Sequence, residues 1–214
     1  MSCLFCFSGD KMSADEMQGK YGSAMAAYVD NETTFDVTLC QAPCKAPLCW
    51  FPSTVCSCCA QVHMRKKALE HVEPGSGWTN YQCGQGYFGG CCCFQPGNMG
   101  ESTCPVPCAC LESWLCPGMG ISATKLLIMD KYQLGMDEDD IRLIRCSNCL
   151  QCFACVFSLI ACVTDCEGDD AIAECINCVA EVVFCCVSGC MLAQVNHEIE
   201  LRENAAPGLA DMER

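Results

Sequence analysis

Basic residues are scarce in this chain: 12 Lys and Arg stand against 26 Asp and Glu in 214 residues, a formal net charge of −14. A nucleic-acid partner needs clustered cations to neutralise phosphates, so that class of function is not expected. Residues 1–10 contain no Lys or Arg and only a short apolar run, so no secretory signal is expected either. Histidines number 3 (His63, His71 and His197), and no G-x-S-x-G, H-E-x-x-H or phosphate-binding loop occurs. The expectation is a protein that is not an enzyme.

What the chain has in excess is cysteine, 27 of 214 residues, above the level of about 8–10% that marks a disulfide scaffold in short secreted chains. Without a route to an oxidising compartment, thiols stay reduced. They then serve as metal ligands, acylation sites, redox groups or small buried apolar side chains.

Asp10, Asp15, Glu16, Asp30, Glu32 and Asp36 sit in the N-terminal arm, Glu198, Glu200, Glu203, Asp211 and Glu213 sit near the C-terminus, and the chain between them is Cys-dense. This divides the chain into an acidic, loosely ordered arm (1–37), a single Cys-rich helical domain (38–203) and a disordered tail (204–214). The expected fold is mainly α, a compact bundle of about four helices under a Cys/Gly/Pro-rich irregular cap built from residues 38–105. Helices are expected over 54–71, 106–115 and 119–134, with an acidic helix start at Asp137–Asp140 and a last helix from Asp169 to Arg202. Residues 146–164 hold no charge at all. As a helix that run is about 28 Å long, close to a bilayer core of about 30 Å. Ser147, Asn148, Gln151 and Ser158 lower its hydrophobicity, so a spanning helix and a buried core helix both fit.

The loop cysteines are the candidate metal ligands: Cys56, Cys58 and Cys59, then Cys91, Cys92 and Cys93, then Cys104, Cys108 and Cys110. Thiolates on turns can converge on one ion, and soft sulfur ligands favour zinc or copper(I) over magnesium or calcium. Zinc is the expected cofactor, as a structural element of the cap. Cys3 and Cys6, flanked by Leu4, Phe5 and Phe7, are candidate S-acylation sites, and two acyl chains anchor where one does not. Glu112 and Glu181 lie in otherwise apolar stretches and are candidate buried acids. Thiol redox chemistry at a Cys of lowered pKa is the alternative, although no single Cys stands out.

Cys186, Cys190, Gln194 and Glu198 fall at successive i,i+4 positions, one face of one helix, with Ile199 following. Together with Cys104-Pro105-Val106-Pro107-Cys108-Ala109-Cys110, this end of the chain resembles the placenta-specific-eight family, which includes the plant cadmium-resistance proteins and cell-number regulators. In that family the last two cysteines are separated by two residues, where three lie between Cys186 and Cys190, and the upstream element is a plain Cys-Pro-Cys. A second resemblance, over roughly 40–202, is to a set of cysteine-rich proteins of algae, protists and plants. It is carried by Gly100-Glu101-Ser102-Thr103-Cys104-Pro105, Ser122-Ala123-Thr124, Asn148-Cys149-Leu150-Gln151 and Gly189-Cys190-Met191, and it brings no activity with it. The placenta-specific-eight resemblance implies membrane association, divalent or heavy-metal handling and a role in growth control.

These lines converge on a membrane-associated, Cys-rich metal-binding protein at the cytoplasmic face, held peripherally or by one or two spans and able to form homo-oligomers. Its expected role is metal handling or growth-related scaffolding. The other readings are a thiol redox protein and an interaction module held by acylated cysteines.

Overall fold

The computed structural model describes residues 24, 26–88, 95–164 and 169–212. Its elements run α1 (Ala42–Lys45), α2 (Pro47–Val55), α3 (Ser57–Val72), a 3-10 turn (Cys83–Gly86), α4 (Pro105–Leu115), α5 (Pro117–Tyr132), α6 (Glu138–Thr164) and α7 (Asp169–Met212). The mainly α expectation holds. The described residues form seven helices rather than about four, and the reason is proline. Pro47, Pro105 and Pro117 each begin a helix, where the missing N–H costs nothing and the fixed φ is already helical. The segment expected to be an irregular cap is therefore helical over α1–α3, and irregular only between α3 and α4.

Three of the breaks are one residue long. Ala46, Cys56 and Cys116 leave the helical region (Cys56 at φ −132°, ψ 66°; Cys116 at φ −137°, ψ 58°). Each closes the helix behind it with its N–H and opens the next with its carbonyl. For Cys56 the bonds are to Pro52 O at 2.8 Å and from Ala60 N at 3.0 Å; for Cys116 they are to Glu112 O at 2.8 Å and from Gly120 N at 3.1 Å. The N–H and carbonyl of each joint residue are therefore both bonded although no loop intervenes.

The water-excluding core lies among α3, α5 and the C-terminal half of α7, with Met64, Leu69, Leu126, Ile128, Leu192 and Val195 at its centre. Tyr28, Phe35, Val37 and Leu39 are also buried, so the acidic arm is packed from Tyr28 onward. Those apolar side chains hold it there. At the other end α7 continues to Met212, through most of the segment expected to be a disordered tail.

Two cations sit inside this core. Arg65 follows Cys56 at the same interval as Lys125 follows Cys116, and both are fully buried. Arg65 donates to Glu112 Oε1 (3.1 Å), Gly120 O (2.8 Å), Thr124 Oγ1 (2.9 Å) and Gln85 Oε1 (3.2 Å). Lys125 Nζ bonds Asp140 Oδ2 at 2.7 Å and Gln194 Oε1 at 2.8 Å, and stands 4.9 Å from the centre of the Phe35 ring. Gln194 Nε2 closes the triangle on Asp140 Oδ2 at 3.0 Å and also donates to Val37 O, while Leu39 N donates to Asp140 Oδ1 at 3.0 Å.

Removing one member of such a pair leaves a buried charge uncompensated. Asp140→Ala is expected to cost about 3–5 kcal/mol. In chemical denaturation, Lys125→Met combined with Asp140→Asn is expected to lose clearly less than the two single changes added together.

Candidate membrane-embedded surface and thiol sites

α6 and α7 run antiparallel as a hairpin that leaves the core. Two stretches are long and apolar enough to cross a membrane: Glu138–Cys162 and Ala171–Ala205, whose most apolar 18 residues have mean hydropathies of 1.6 and 2.0. Their burial is inverted relative to a water-soluble helix. Phe153, Val156, Phe157, Leu159 and Ile160 of α6 are exposed, as are Ile172, Val179 and Val182 of α7. The buried residues between the two helices are small: Ala154, Ala161, Ala173 and Ala180. Polar side chains of the hairpin also turn inward. Gln151 Nε2 donates to Ala180 O at 2.9 Å, and Asn177 Nδ2 to Ser158 Oγ at 2.8 Å, while Ser147 is buried. Small residues that allow close approach, with cross-helix hydrogen bonds, are how helices associate where apolar solvent supplies no hydrophobic drive.

The same inversion extends to two short helices, α2 and α4. α2 buries Ser53 and exposes Leu48 (91%), Phe51 and Val55; α4 buries Ala109, Glu112 and Ser113 and exposes Leu111, Trp114 (72%) and Leu115. Spacings of three and four residues place each exposed set on one face. Neither outer face carries a charge, because α2 has none and the one acid of α4, Glu112, points inward to Arg65. α2 lies directly on α7: a Cβ on Gly189 would fall 3.2 Å from Thr54 N and into its hydroxyl.

Cys56 ends α2 and caps α3, and Cys59 lies in the first turn of α3; both are exposed. Cys58, between them, donates its thiol to Ser113 O of α4 at 3.3 Å. Cys104 caps α4 and is exposed, as is Cys110, while Cys108 is partly buried and donates to Met99 O. Cys3, Cys6 and Cys91–Cys93 lie outside the described residues. Among the described residues no group of three or more His, Cys, Asp or Glu side chains is arranged to hold a metal ion, and the cysteines are free thiols apart from Cys149, which is disulfide-bonded.

Cys186, Cys190, Gln194 and Glu198 do share α7, and they divide by depth. The two thiols are half-buried beside α2, whereas Gln194 and Glu198 are buried clamps on the N-terminal segment. Glu198 Oε2 accepts from Asp36 N at 3.0 Å, and its Oε1 lies 2.7 Å from Arg202 Nη2. Glu112 is buried: Arg65, Tyr81 OH (2.7 Å) and Gly84 N (3.1 Å) all donate to it. Glu181, expected to be a buried acid, is instead exposed, because α7 has α6 on one side only at that level. It lines an open groove of about 320 Å3 with Thr54, Cys178, Val182, Cys185 and Cys186.

Sequence reading did not supply the roles of Arg65 and Glu101, or the pairing of Lys125 with Asp140. A Lys inside the apolar stretch Ile121–Met129 is the one signal that pointed to a buried ion pair. The Glu101 carboxylate gathers the backbone N–H groups of Cys83 (2.9 Å), Gly97 (2.9 Å) and Met99 (3.1 Å), and so folds the segment that precedes α4. Comparison of the chain with protein-family models, with curated proteins and with solved structures finds no match.

Burial alone would raise the Glu101 carboxyl pKa, but the three N–H donors outweigh it and hold the value below the ordinary glutamate range. Its contribution to stability is therefore complete above the unfolded value of about 4.3 and is lost as pH falls through the lower folded value. Glu101→Gln is expected to cost about 1–3 kcal/mol at neutral pH and to flatten the acid limb of stability against pH, as read by thermal unfolding from pH 3 to 7.

Proposed function

We propose that the chain is a membrane-inserted, non-enzymatic scaffold. The α6–α7 hairpin crosses the bilayer, α2 and α4 lie in its surface, and the α3/α5/α7 core stands in the cytoplasm. One observation carries this reading: four helices that place large apolar side chains outward and small or polar ones inward. A water-soluble protein rarely leaves apolar patches beyond a few hundred Å2 uncovered.

Charge supports the orientation. Every Lys and Arg lies outside residues 146–201, with Arg142, Arg145 and Arg202 flanking the hairpin where it joins the core and none at its tip. Cationic flanks stay on the cytoplasmic side. Glu174 and Glu181 oppose insertion, at up to about 3 kcal/mol for a charge at the centre of a span and less toward its ends. Each lies within about two helical turns of an end of the hairpin. Burying a fully exposed Phe, Leu, Ile or Val gives about 1.5–3 kcal/mol; the eight on the hairpin are 40–64% exposed, so each gives about half of that, and together they still outweigh the two acids. The resemblance to the placenta-specific-eight family points the same way. Metal handling, by contrast, rests on thiol content and that resemblance alone and forms no part of this proposal.

The test uses Trp114 as a native probe. In liposomes the protein is expected to survive a carbonate wash. With Trp50→Phe and Trp78→Phe leaving Trp114 alone, its emission is expected to be blue-shifted and quenched by brominated lipid. Release of all the protein by carbonate overturns the spanning hairpin. Retention with water-like Trp114 emission keeps the hairpin and removes α4 from the membrane surface.

A further inference from the structure

The groove of about 320 Å3 between α2 and α7 is at the small end of ligand sites, which run from about 300 to 1,000 Å3. Its lining has one chemical character. Glu181 is exposed in it, and among the described residues no Lys, Arg or His forms an ion pair with that carboxylate. Neither wall carries a Lys or Arg, since α2 and residues 146–201 contain none. The Thr54 hydroxyl donates its hydrogen to Trp50 O at 2.9 Å and so remains an acceptor. The rest of the lining is Val182 and the thiols of Cys178, Cys185 and Cys186. Those thiols do not form a metal centre with Glu181, because among the described residues no three such side chains are placed to hold an ion. Negative charge and acceptor atoms beside apolar surface are complementary to a cationic N–H donor. An apolar track also leads out of the groove. Val182, Val179, Cys175 and Ile172 are all exposed, and intervals of three and four residues put them on one face of α7. That track is about 15 Å long, half of a bilayer core of about 30 Å.

We propose that this groove binds a single-chain lipid amine of the sphingoid-base type, with its ammonium on Glu181 and its hydrocarbon chain along the track toward the start of α7. The inference rests on the membrane-inserted reading above, in which a bound cation offsets the cost of carrying Glu181 into the bilayer. A primary ammonium brings three N–H donors, and the Glu181 carboxylate and Thr54 Oγ1 are acceptors. A phospholipid headgroup is a poorer match, because its phosphate meets no cation on either wall. A neutral long-chain lipid is poorer for the opposite reason, since it fills the track and leaves the carboxylate without a counter-charge.

The test uses the full chain, reduced and held in mild detergent without oxygen. Maleimide alkylation followed by chymotryptic mapping reads Cys178 apart from Cys185 and Cys186, with Cys59 and Cys104 as exposed thiols outside the groove. Saturating sphingosine is expected to slow alkylation of Cys178 at least about five-fold relative to Cys59 and Cys104, as mass action requires when few sites stay empty. N-acetylsphingosine, which keeps the chain and loses the charge, and sphingosine phosphate, which adds an anion, are expected to protect far less. Glu181→Gln, at a surface position, is expected to remove the protection and leave the thermal unfolding midpoint unchanged. No protection by sphingosine, equal protection by either derivative, or protection that survives Glu181→Gln overturns the proposal. Protection by equimolar zinc overturns it as well, because the groove would then be a metal site. Carbonate extraction of the same chain from liposomes reads the hairpin separately, so loss of the amine site with the hairpin retained is distinguished from failure of the hairpin itself.

Discussion

One buried ammonium decides how the two long helices leave this protein. Lys125 has no access to water, so its charge must be met from within, and the groups that meet it come from three separate parts of the chain. Asp140 is in the first turn of α6, where an acid is also favoured by the helix dipole. Gln194 is in the buried half of α7, and it and Asp140 both reach the backbone of the segment around Val37 and Leu39. Fixing Asp140 and Gln194 on the same cation fixes the start of α6 beside the inner half of α7. The outer halves then have no choice but to run together as a hairpin.

Two kinds of packing occur in the same molecule. α3, α5 and the inner half of α7 bury Met, Leu, Ile and Val as a water-soluble core does. The hairpin, α2 and α4 do the reverse. α7 belongs to both, with Val179 and Val182 exposed and Leu192, Val195 and Ile199 buried on one unbroken helix. The change of environment happens near Gly189, where α2 lies against α7.

Much of this was legible in the sequence. The helices over 106–115 and 119–134, the acidic start of α6 and the uncharged run 146–164 all follow from local chemistry. The helix face of Cys186, Cys190, Gln194 and Glu198 followed from spacing. What spacing could not supply was which side of a helix meets protein. Glu112 and Glu181 look alike in sequence, each an acid in an apolar stretch. Glu112 has Arg65, Tyr81 and Gly84 around it only because α4 packs on α3 and the 3-10 turn, whereas Glu181 faces outward. Helix number was underestimated for a related reason: a proline read as a breaker acts at Pro47 and Pro117 as the first residue of the next helix. Among the cysteines, spacing alone treats Cys56, Cys58 and Cys59 as one cluster, and only packing on α4 separates the middle thiol from its neighbours.

The one-residue joints leave the chain without slack. A loop of several residues absorbs an insertion, but at Cys56 and Cys116 an added or deleted residue is carried whole into the helix that follows, as a phase error of about 100°. Arg65 and Lys125 would swing off their carboxylates together with the rest of α3 or α5, and a charge now sealed in the core would emerge elsewhere. An inserted or deleted residue is therefore expected to be accommodated only in the looser connections, and the two joints act as fixed points against which the buried charges are timed.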